Sequence, residues 1–458
     1  MGDAYDVVVI GAGTGGYTAA LRSAQLGKRV ALVERDDRLG GTCLLRGCIP
    51  AKALLQSAAV MDTVHRSEEW GIKASGEPDW SAVKEFEDRI VDKLVRGVTG
   101  LISGRGIDVL HGTARLLPGP AVEVDGTRYD ADDVVLATGS RPRLLPGIDP
   151  TDRVITSDQA LWYDRIPTSA VVIGAGAVGL EFASIYRSFG AEVTVVEALP
   201  RLAPLEDEEV SKEIAKAFRK RGIASEAGAS VTGVVQSETG VAVTYVTGAE
   251  KTVNADVCLV AVGRGPVTEG MDLEAAGVAL NEKGFIEVDG QLRTGAEHVW
   301  AVGDVAATPL QLAHVAFTEG MAVAERIAGI DVPDIDYVNI PKVTYCTPEM
   351  ASVGLTEAQA REQGRSIVTE KLDFRAIGKA NIVGETGFVK VVAEVDGSVL
   401  GVHMIGPHVT DLVSEAMLIT NWEAVPAEVA ALIHPHPTLS EAIGEAHLAL
   451  AGKPLHTA

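Results

Sequence analysis

Cysteine is scarce in this chain of 458 residues, and its four cysteines are not spaced like the ligands of a structural zinc site. Such a site presents two close pairs, each separated by about two to four residues. Here only Cys43 and Cys48 are near each other, whereas Cys258 and Cys346 are single and distant. So few cysteines also exclude a secreted scaffold held together by disulfides, and they favour a catalytic over a structural role for any disulfide. We expect no metal site.

The chain also lacks a long apolar run and an excess of positive charge, and we expect no leader segment. No uncharged apolar run is long enough to span a bilayer, and the N-terminus enters an apolar strand at once with YDVVVIGAG. We therefore expect a cytoplasmic protein that works in a reducing compartment and does not bind membranes. The formal net charge of −23 argues against nucleic acid as a partner, because its phosphates would be repelled.

The two neighbouring cysteines lie in the segment GGTCLLRGCIPAKALL, residues 40–55. In an undistorted helix, two residues five apart are separated by a rise of about 7.5 Å, beyond the ~6.8 Å between Cα atoms that a disulfide tolerates. Gly47 weakens a helix, and Pro50 fits only its first turn. We therefore predict that the segment bends between the cysteines and resumes as a helix with Pro50 in its first turn. The segment alone leaves open a redox-active pair and two cysteines that pack.

A strong internal repeat relates residues 7–34, VVVIGAGTGGYTAALRSAQLGKRVALVE, to residues 170–197, AVVIGAGAVGLEFASIYRSFGAEVTVVE. Each copy has the pattern of an apolar strand, a GxGxxG turn, a helix and a second strand ending in Glu. Such glycines let the backbone approach a pyrophosphate at the helix N-terminus, and the acidic residue accepts hydrogen bonds from ribose. The repeat therefore predicts two dinucleotide sites. Their residues are Gly11, Gly13, Gly16 and Glu34 in the first copy, and Gly174, Gly176, Gly179 and Glu197 in the second.

The two sites are expected to hold different nucleotides. Glu197 favours NAD at the second site, because a carboxylate repels the 2′-phosphate of NADP, although the nearby Arg201 leaves NADP open. A nicotinamide delivers a hydride, a disulfide accepts two electrons through thiolate chemistry, and a flavin can convert one into the other. The first copy leads directly into the cysteine segment, so we expect FAD at the first site and NAD at the second.

Further motifs follow in a fixed order along the chain. They are LATGSRPRLLPG at 136–147, VAVGRGP at 260–266, VWAVGDV at 299–305, LAHVAFTEG at 312–320, VTYCTPEMASVGLTEAQA at 343–360 and HPHPTLSEAIGEA at 434–446. Together with the cysteine segment and the repeat, their order and spacing resemble the FAD-dependent pyridine nucleotide–disulfide oxidoreductases. The resemblance is greatest to members that oxidise dihydrolipoamide.

The resemblance implies an α/β fold with two Rossmann-like dinucleotide-binding domains and a C-terminal α+β dimerisation domain. The implied domains are an FAD domain over residues 1–147, an NAD domain over 148–266, a central domain completing the FAD site over 267–337, and an interface domain over 338–458.

The resemblance also implies a set of functional residues. Cys43 would be the interchange thiol, Cys48 the thiol against the flavin, His436 the base, and Glu441 the carboxylate that orients it. The further residues implied at the FAD site are Gly41, Thr42, Lys52, Thr138, Gly139, Ser140, Asp304, Gln311, Leu312, Ala313 and His314. Those implied at the NAD site are Glu181 and Gly263. Lys52 and Glu181 would form an ion pair beside the flavin, for which a merely structural salt bridge is the alternative.

The implied reaction is oxidation of dihydrolipoamide by NAD⁺, and the implied assembly is a homodimer. The implied partners are lipoyl-bearing domains and the acyltransferase core of a 2-oxoacid dehydrogenase complex, to which an acidic surface would suit docking. A reductase of glutathione-like or mycothiol-like disulfides is the alternative, and Glu197 argues against the NADPH that it would use. A flavoprotein with lost catalysis is disfavoured, because neither the cysteines nor His436 is missing.

Overall fold

The computed structural model describes residues 4–456. Its strands are β1 (Tyr5–Ile10), β2 (Val30–Glu34), β3 (Asp108–His111), β4 (Ala114–Leu117), β5 (Ala121–Val124), β6 (Thr127–Leu136), β7 (Ser140–Pro142), β8 (Val154–Thr156), β9 (Ser169–Ile173), β10 (Glu192–Glu197), β11 (Ala224–Ala227), β12 (Ser230–Gln236), β13 (Val241–Thr247), β14 (Ala249–Ala255), β15 (Val257–Val260), β16 (Arg264–Pro266), β17 (Val299–Ala301), β18 (Lys342–Thr344), β19 (Glu349–Gly354), β20 (Ile367–Asp373), β21 (Phe388–Glu394) and β22 (Val399–Gly406).

The α-helices are α1 (Thr14–Gln25), α2 (Gly41–Arg46), α3 (Cys48–His65), α4 (Trp80–Gly104), α5 (Ser157–Leu161), α6 (Ala177–Ser188), α7 (Glu208–Lys220), α8 (Ala313–Ile327), α9 (Glu357–Glu362), α10 (Gly378–Val383), α11 (Val409–Asn421), α12 (Pro426–Val429) and α13 (Glu441–Leu450). Short 3₁₀ turns cover Ser67–Trp70, Glu274–Ala276, Gly303–Val305 and Phe374–Ala376. Within residues 4–456, no helix is both long and apolar enough to cross a membrane.

The first of two compact units comprises residues 4–53, Ser81–Arg143 and Gly263–Tyr337. Its main sheet has the order β3-β2-β1-β6-β5-β4, with β17 also paired to β6. The strands β3, β2, β1, β6 and β17 run parallel, whereas β4, β5 and β6 form an antiparallel meander. The strands around the first GxGxxG motif are almost wholly buried because helices cover a parallel sheet on its faces.

The second unit comprises Leu54–Trp80, Leu144–Val262 and residues 338–456. It contains an all-parallel sheet in the order β11-β10-β9-β15-β8, a meander of β12, β13 and β14, and an antiparallel sheet in the order β18-β19-β22-β21-β20. The helices α11 and α13 pack on the antiparallel sheet around an apolar core that includes Val391, Met404 and Ile443. The predicted α/β class, with two Rossmann-like sheets and a C-terminal α+β portion, is confirmed. The predicted four-domain boundaries stay a prediction.

Candidate active site

The cysteine segment folds as two helices with a break between the cysteines. The helix α2 ends at Arg46, and α3 begins at Cys48 with Pro50 in its first turn. Gly47 joins them with φ −153° and ψ −113°. A Cβ at Gly47 would lie 2.8 Å from the carbonyl oxygen of Thr42, so only glycine lets the chain fold back this closely. The predicted bend and helix restart are confirmed.

This break brings the two thiols into contact. Cys43 and Cys48 are both half-buried thiols in the structure. A side-chain hydrogen bond with Cys48 raises the pKa of the Cys43 thiol, and burial and the charge of Cys48 raise it further, while the ammonium of Lys52 acts in the opposite direction. Two thiols in hydrogen-bond contact beside a cation are arranged to form and break a disulfide, which favours the redox over the packing interpretation.

The first glycine motif makes a tight cradle at the start of α1. A Cβ at Gly11 would lie 2.4 Å from the carbonyl oxygen of Ala137, and one at Gly16 would lie 1.8 Å from that of Gly11. Gly41 lies against Gly13: a Cβ added at Gly41 would lie only 2.5 Å from the Cα atom of Gly13. The motif therefore packs directly on the start of the cysteine segment.

The N-terminus of α1 and the carboxylate of Glu34 complete the first nucleotide unit. Gly13 is the N-cap of α1 and has no side-chain hydrogen bond that caps the helix, which leaves N–H groups for an anion. Glu34 at the end of β2 accepts hydrogen bonds from the backbone N–H groups of Ala12 and Asp36, both at 2.9 Å. A glycine-lined turn, an uncapped helix start and a carboxylate that is hydrogen-bonded to this turn fit the predicted dinucleotide.

Polar side chains from four segments that are distant in the sequence meet where the sequence predicts the FAD site. Ser140 donates to a carboxylate oxygen of Asp304 at 2.5 Å. The guanidinium of Arg264 donates to the Ser140 hydroxyl at 2.7 Å and to the Thr42 hydroxyl at 3.4 Å. The amide of Gln311 donates to the carbonyl of Asp304 at 3.2 Å. The structure thus brings together Thr42, Ser140, Asp304 and Gln311, which sequence analysis assigned to FAD.

The remaining predicted FAD contacts lie in the same unit. Thr138 donates to the carbonyl of Val267 at 2.6 Å, and Gly139 follows it with φ +73°. Leu312 is the N-cap of α8, whose first two residues are Ala313 and His314. Each of these residues therefore lies between strands or at a helix start rather than within a strand.

Three further residues of the first compact unit were not predicted from the sequence. Arg264 lies within the quoted motif VAVGRGP but was given no role, although it joins Thr42 to Ser140. Burial and the nearby charge of Cys43 raise the pKa of Tyr17 to about 12, which places this phenol beside the cysteine segment. The buried Glu319 of α8 accepts from the backbone N–H of Gly303 at 2.6 Å, and burial raises its pKa. Only Tyr17 had a local signal, because it directly follows the glycine motif.

The second glycine motif repeats this geometry at the start of α6. A Cβ at Gly174 would lie 2.4 Å from the carbonyl oxygen of Ala261, and one at Gly179 would lie 2.0 Å from that of Gly174. Gly176 is the N-cap residue of α6, which no side chain caps, and a Cβ added there would meet nothing within 4 Å. The same holds for a Cβ added at Gly263. The helix start therefore faces open space, and the motif fits a second dinucleotide.

The two acidic residues of this second unit are both buried. Glu197 accepts from the backbone N–H of Ala175 at 2.6 Å and of Leu199 at 2.8 Å. Arg201 donates to backbone carbonyls of Pro204 and Glu206.

Glu181, in the first turns of α6, accepts from the backbone N–H of Tyr345 at 2.9 Å, a contact that the sequence did not indicate. Its pairing with Lys52 stays a prediction.

His436 and Glu441 form a hydrogen-bonded pair in the C-terminal unit. Nδ1 of His436 lies 2.8 Å from Oε1 of Glu441, and the other carboxylate oxygen accepts from the backbone N–H of Thr438 at 2.8 Å. Burial alone would raise the pKa of Glu441, but the hydrogen bonds from His436 and Thr438 outweigh it and lower that pKa. An ionised carboxylate holds the proton on Nδ1 and leaves Nε2 of the exposed imidazole as the acceptor.

Two family models match this chain. The pyridine nucleotide-disulphide oxidoreductase model matches residues 5–320, and the dimerisation domain of the same family matches residues 340–447. The chain belongs to the pyridine nucleotide-disulphide oxidoreductase family. Members of this family use FAD and NAD, so the predicted cofactors are confirmed, and the dimerisation domain supports the predicted homodimer.

Curated members of this oxidoreductase family match the whole chain. A dihydrolipoyl dehydrogenase of Bacillus subtilis is 44% identical over 477 residues and covers 100% of both chains. A dihydrolipoyl dehydrogenase of Thermus scotoductus is 41% identical, covering 99% of this chain and 98% of its own.

Solved structures of the oxidoreductase family share the fold. LpdA of Mycobacterium tuberculosis superimposes with a TM-score of 0.90 at 27% identity, over 97% of this chain and 99% of its own. RclA of Escherichia coli, an HOCl-induced flavoprotein disulfide reductase, has a TM-score of 0.87 at 28% identity, over 97% of this chain and 99% of its own.

Proposed function

We propose that this chain is a dihydrolipoyl dehydrogenase, which converts dihydrolipoamide and NAD⁺ into lipoamide, NADH and a proton. The observation that carries the proposal is the full-length similarity to proteins of that name, combined with the two chemical elements that the reaction needs. These are the contacting thiols of Cys43 and Cys48 and the hydrogen-bonded pair of His436 and Glu441.

The residues that would hold the cofactors are those of the two glycine cradles. FAD would bind the N-terminus of α1 and the polar group around Ser140 and Asp304, with Lys52 near the thiols. NAD would bind the N-terminus of α6, with its ribose at Glu197. When bound, FAD supplies the two-electron exchange that links a dithiol to a nicotinamide.

The thiol half of the reaction is carried by this chain's own side chains. Nε2 of His436 takes the proton of one substrate thiol, and ionised Glu441 stabilises the resulting imidazolium. The substrate thiolate attacks the sulfur of Cys43 in the Cys43–Cys48 disulfide, which forms a mixed disulfide and releases Cys48 as a thiolate. The second substrate thiol then displaces Cys43, giving lipoamide and the reduced pair. Lys52 stabilises the thiolates, because its charge opposes the rise in the Cys43 pKa.

In the proposed dimer, His436 of each subunit serves the cysteines of its partner. The chain next to His436 supports this arrangement, because Leu432 and Ile433 are 62% and 98% exposed in the single chain. Such apolar side chains are suited to burial against a second copy within the matched dimerisation domain.

Complementation between two inactive variants tests this arrangement. A Cys43→Ser chain and a His436→Gln chain should each be inactive toward dihydrolipoamide. After subunit exchange, each mixed dimer carries one doubly altered site and one intact site, so activity should return. Absence of recovery despite proven exchange would contradict the shared site.

The proposed substrate is a lipoyl group carried by a protein domain, and the proposed setting is the acyltransferase core of a 2-oxoacid dehydrogenase complex. The net charge of −23 suits docking to a basic module of such a core. Reduction of NAD⁺ by dihydrolipoamide should be compared with oxidation of NADPH by glutathione disulfide and by mycothiol disulfide. A greater kcat/KM for either of the latter would replace the proposal with a low-molecular-weight disulfide reductase.

A further inference from the structure

His434, the first histidine of the HPHP segment, has no role in the chemistry described above, yet it forms a close ion pair. Its Nε2 lies 2.7 Å from Oε1 of Glu415 in the middle of α11. The His434 side chain is only 12% exposed, in contrast to 76% for His436 two residues later. The segment thus carries two His–Glu pairs, one buried and one open.

The ring of His434 also lies directly on α13. A Cβ at Gly444 would be 2.5 Å from Nδ1 and 2.7 Å from Cε1 of His434. Gly444 belongs to the same helix that begins with Glu441. His434 therefore connects α11, through Glu415, to the backbone of the helix that carries the partner of His436.

The chain between His434 and Thr438 has little freedom to move independently of this connection. Pro435 and Pro437 each fix one φ angle and restrict the residue before them. At the far end, Thr438 donates its hydroxyl to the carbonyl of Pro435 at 2.7 Å and its backbone N–H to Glu441. His436 is thus held between two anchored positions, one of which is His434.

The charges around His434 are balanced. The hydrogen bond to Glu415 raises the pKa of His434 despite partial burial, and the charges of Glu415 and Glu441 add to this rise. In turn, His434 is one of the groups that lower the pKa of Glu441. His447 of α13 also faces this cluster, but burial lowers its pKa, and its Nδ1 donates to the carbonyl of Ile443 at 2.7 Å. The carboxylates of Glu415 and Glu441 thus both favour the protonated form of His434.

We infer that His434 and Glu415 are positioning residues that hold the His436 imidazole in its working orientation and balance the charge beneath it. The inference rests on the proposed function, in which His436 is the base. It assigns the buried pair to the same reaction, acting through His436 and Glu441 rather than on the substrate.

Two substitutions separate position from charge. His434→Leu removes both the hydrogen bond and the charge, whereas His434→Gln keeps a donor for Glu415 and removes only the charge. The Leu variant should lose about 10- to 100-fold in kcat for dihydrolipoamide oxidation with little change in KM, because a base displaced by about 1 Å loses catalysis to that extent. The Gln variant should recover most of that loss.

The pH profile distinguishes this role from simple packing. In the Gln variant the positive charge that His434 places near Glu441 is lost, while the carboxylate of Glu415 stays. The acid limb of kcat/KM should therefore move to higher pH. Adding Glu415→Gln should move the limb back. His456→Gln is the matched control. Nδ1 of His456 lies 3.1 Å from Glu445 of α13, so this substitution removes another His–Glu pair and should leave activity unchanged.

A titration of His436 tests the inference without any turnover. Histidine-selective ¹⁵N NMR of the full-length dimer, with His436 assigned by its loss in His436→Gln, should show a higher pKa for His436 in the His434→Gln variant. If the unaltered protein failed to oxidise dihydrolipoamide, the proposed function would be refuted, but the shift of the His436 titration in the His434→Gln variant would still stand. Two results would overturn the inference. One is a His434→Gln variant in which the His436 titration, kcat and the pH profile are all unchanged. The other is a folded His434→Leu variant in which the same three properties are unchanged.

Discussion

Replacing Gly176 by alanine should weaken NAD binding without weakening the fold. Gly176 has φ −77° and ψ −177°, an extended conformation that any residue adopts, and an added Cβ meets nothing within 4 Å. The methyl group therefore causes no strain. The lower entropy of the unfolded chain should leave stability unchanged or raise it by up to about 1 kcal/mol.

The methyl group instead enters the open space at the uncapped N-terminus of α6, where the pyrophosphate would bind. Displacing the phosphate from one N–H group removes a hydrogen bond to a charged group, which contributes about 1.5–3 kcal/mol. That loss corresponds to roughly 10- to 100-fold weaker binding of NADH.

Calorimetric titration with NADH, the KM for NAD⁺ and thermal unfolding of the same preparation check this prediction. Gly179→Ala is the matched control, because its Cβ would lie 2.0 Å from the carbonyl oxygen of Gly174 and should lower the melting temperature. FAD absorbance should be retained in Gly176→Ala. A variant of unchanged melting temperature that binds NADH as tightly as the parent would refute the placement of the pyrophosphate against Gly176.

Three further predictions concern the thiols, the nucleotide preference and the buried charges. A thiolate at Cys48 against oxidised flavin should give a long-wavelength charge-transfer band on partial reduction. Cys48→Ser should lose this band, and Cys43→Ser should show it without reduction. The opposite spectra would exchange the roles of the two cysteines. Glu197→Ala should narrow the preference for NAD over NADP in kcat/KM, and a parent that already prefers NADP would contradict this. Lys390 is buried and lies 2.9 Å from buried Asp207, so Lys390→Ala should cost about 3–5 kcal/mol in unfolding by denaturant, with Lys390→Met costing less. Burial would raise the pKa of Asp207, but the hydrogen bonds from Lys390 and the backbone outweigh it and lower that pKa. The stabilisation that ionised Asp207 contributes should therefore be present at neutral pH and lost as the pH falls through and below the ordinary aspartate range. A melting temperature of the parent that does not change with pH in that range would contradict this prediction.

Features that depend on residues near each other in the chain could be predicted from the sequence. The two GxGxxG turns, the break at Gly47 and the helix restart before Pro50 were predictable, because glycine and proline constrain the backbone where they stand. The pairing of His436 with Glu441 was also accessible, since the two lie five residues apart on one turn and helix start. The family followed from the order of such local motifs.

Contacts between side chains that are distant in the sequence depend on how the chain packs. Arg264 reaches Thr42 across 222 residues of sequence, and Glu415 meets His434 because α11 and α13 pack on the same sheet. No local pattern marks such partners, because a polar side chain can satisfy its hydrogen bonds with water or with any group that packing brings near. Whether a histidine such as His434 is open to solvent or buried on a carboxylate therefore depends on how the helices pack, and not on the residues beside it in the chain.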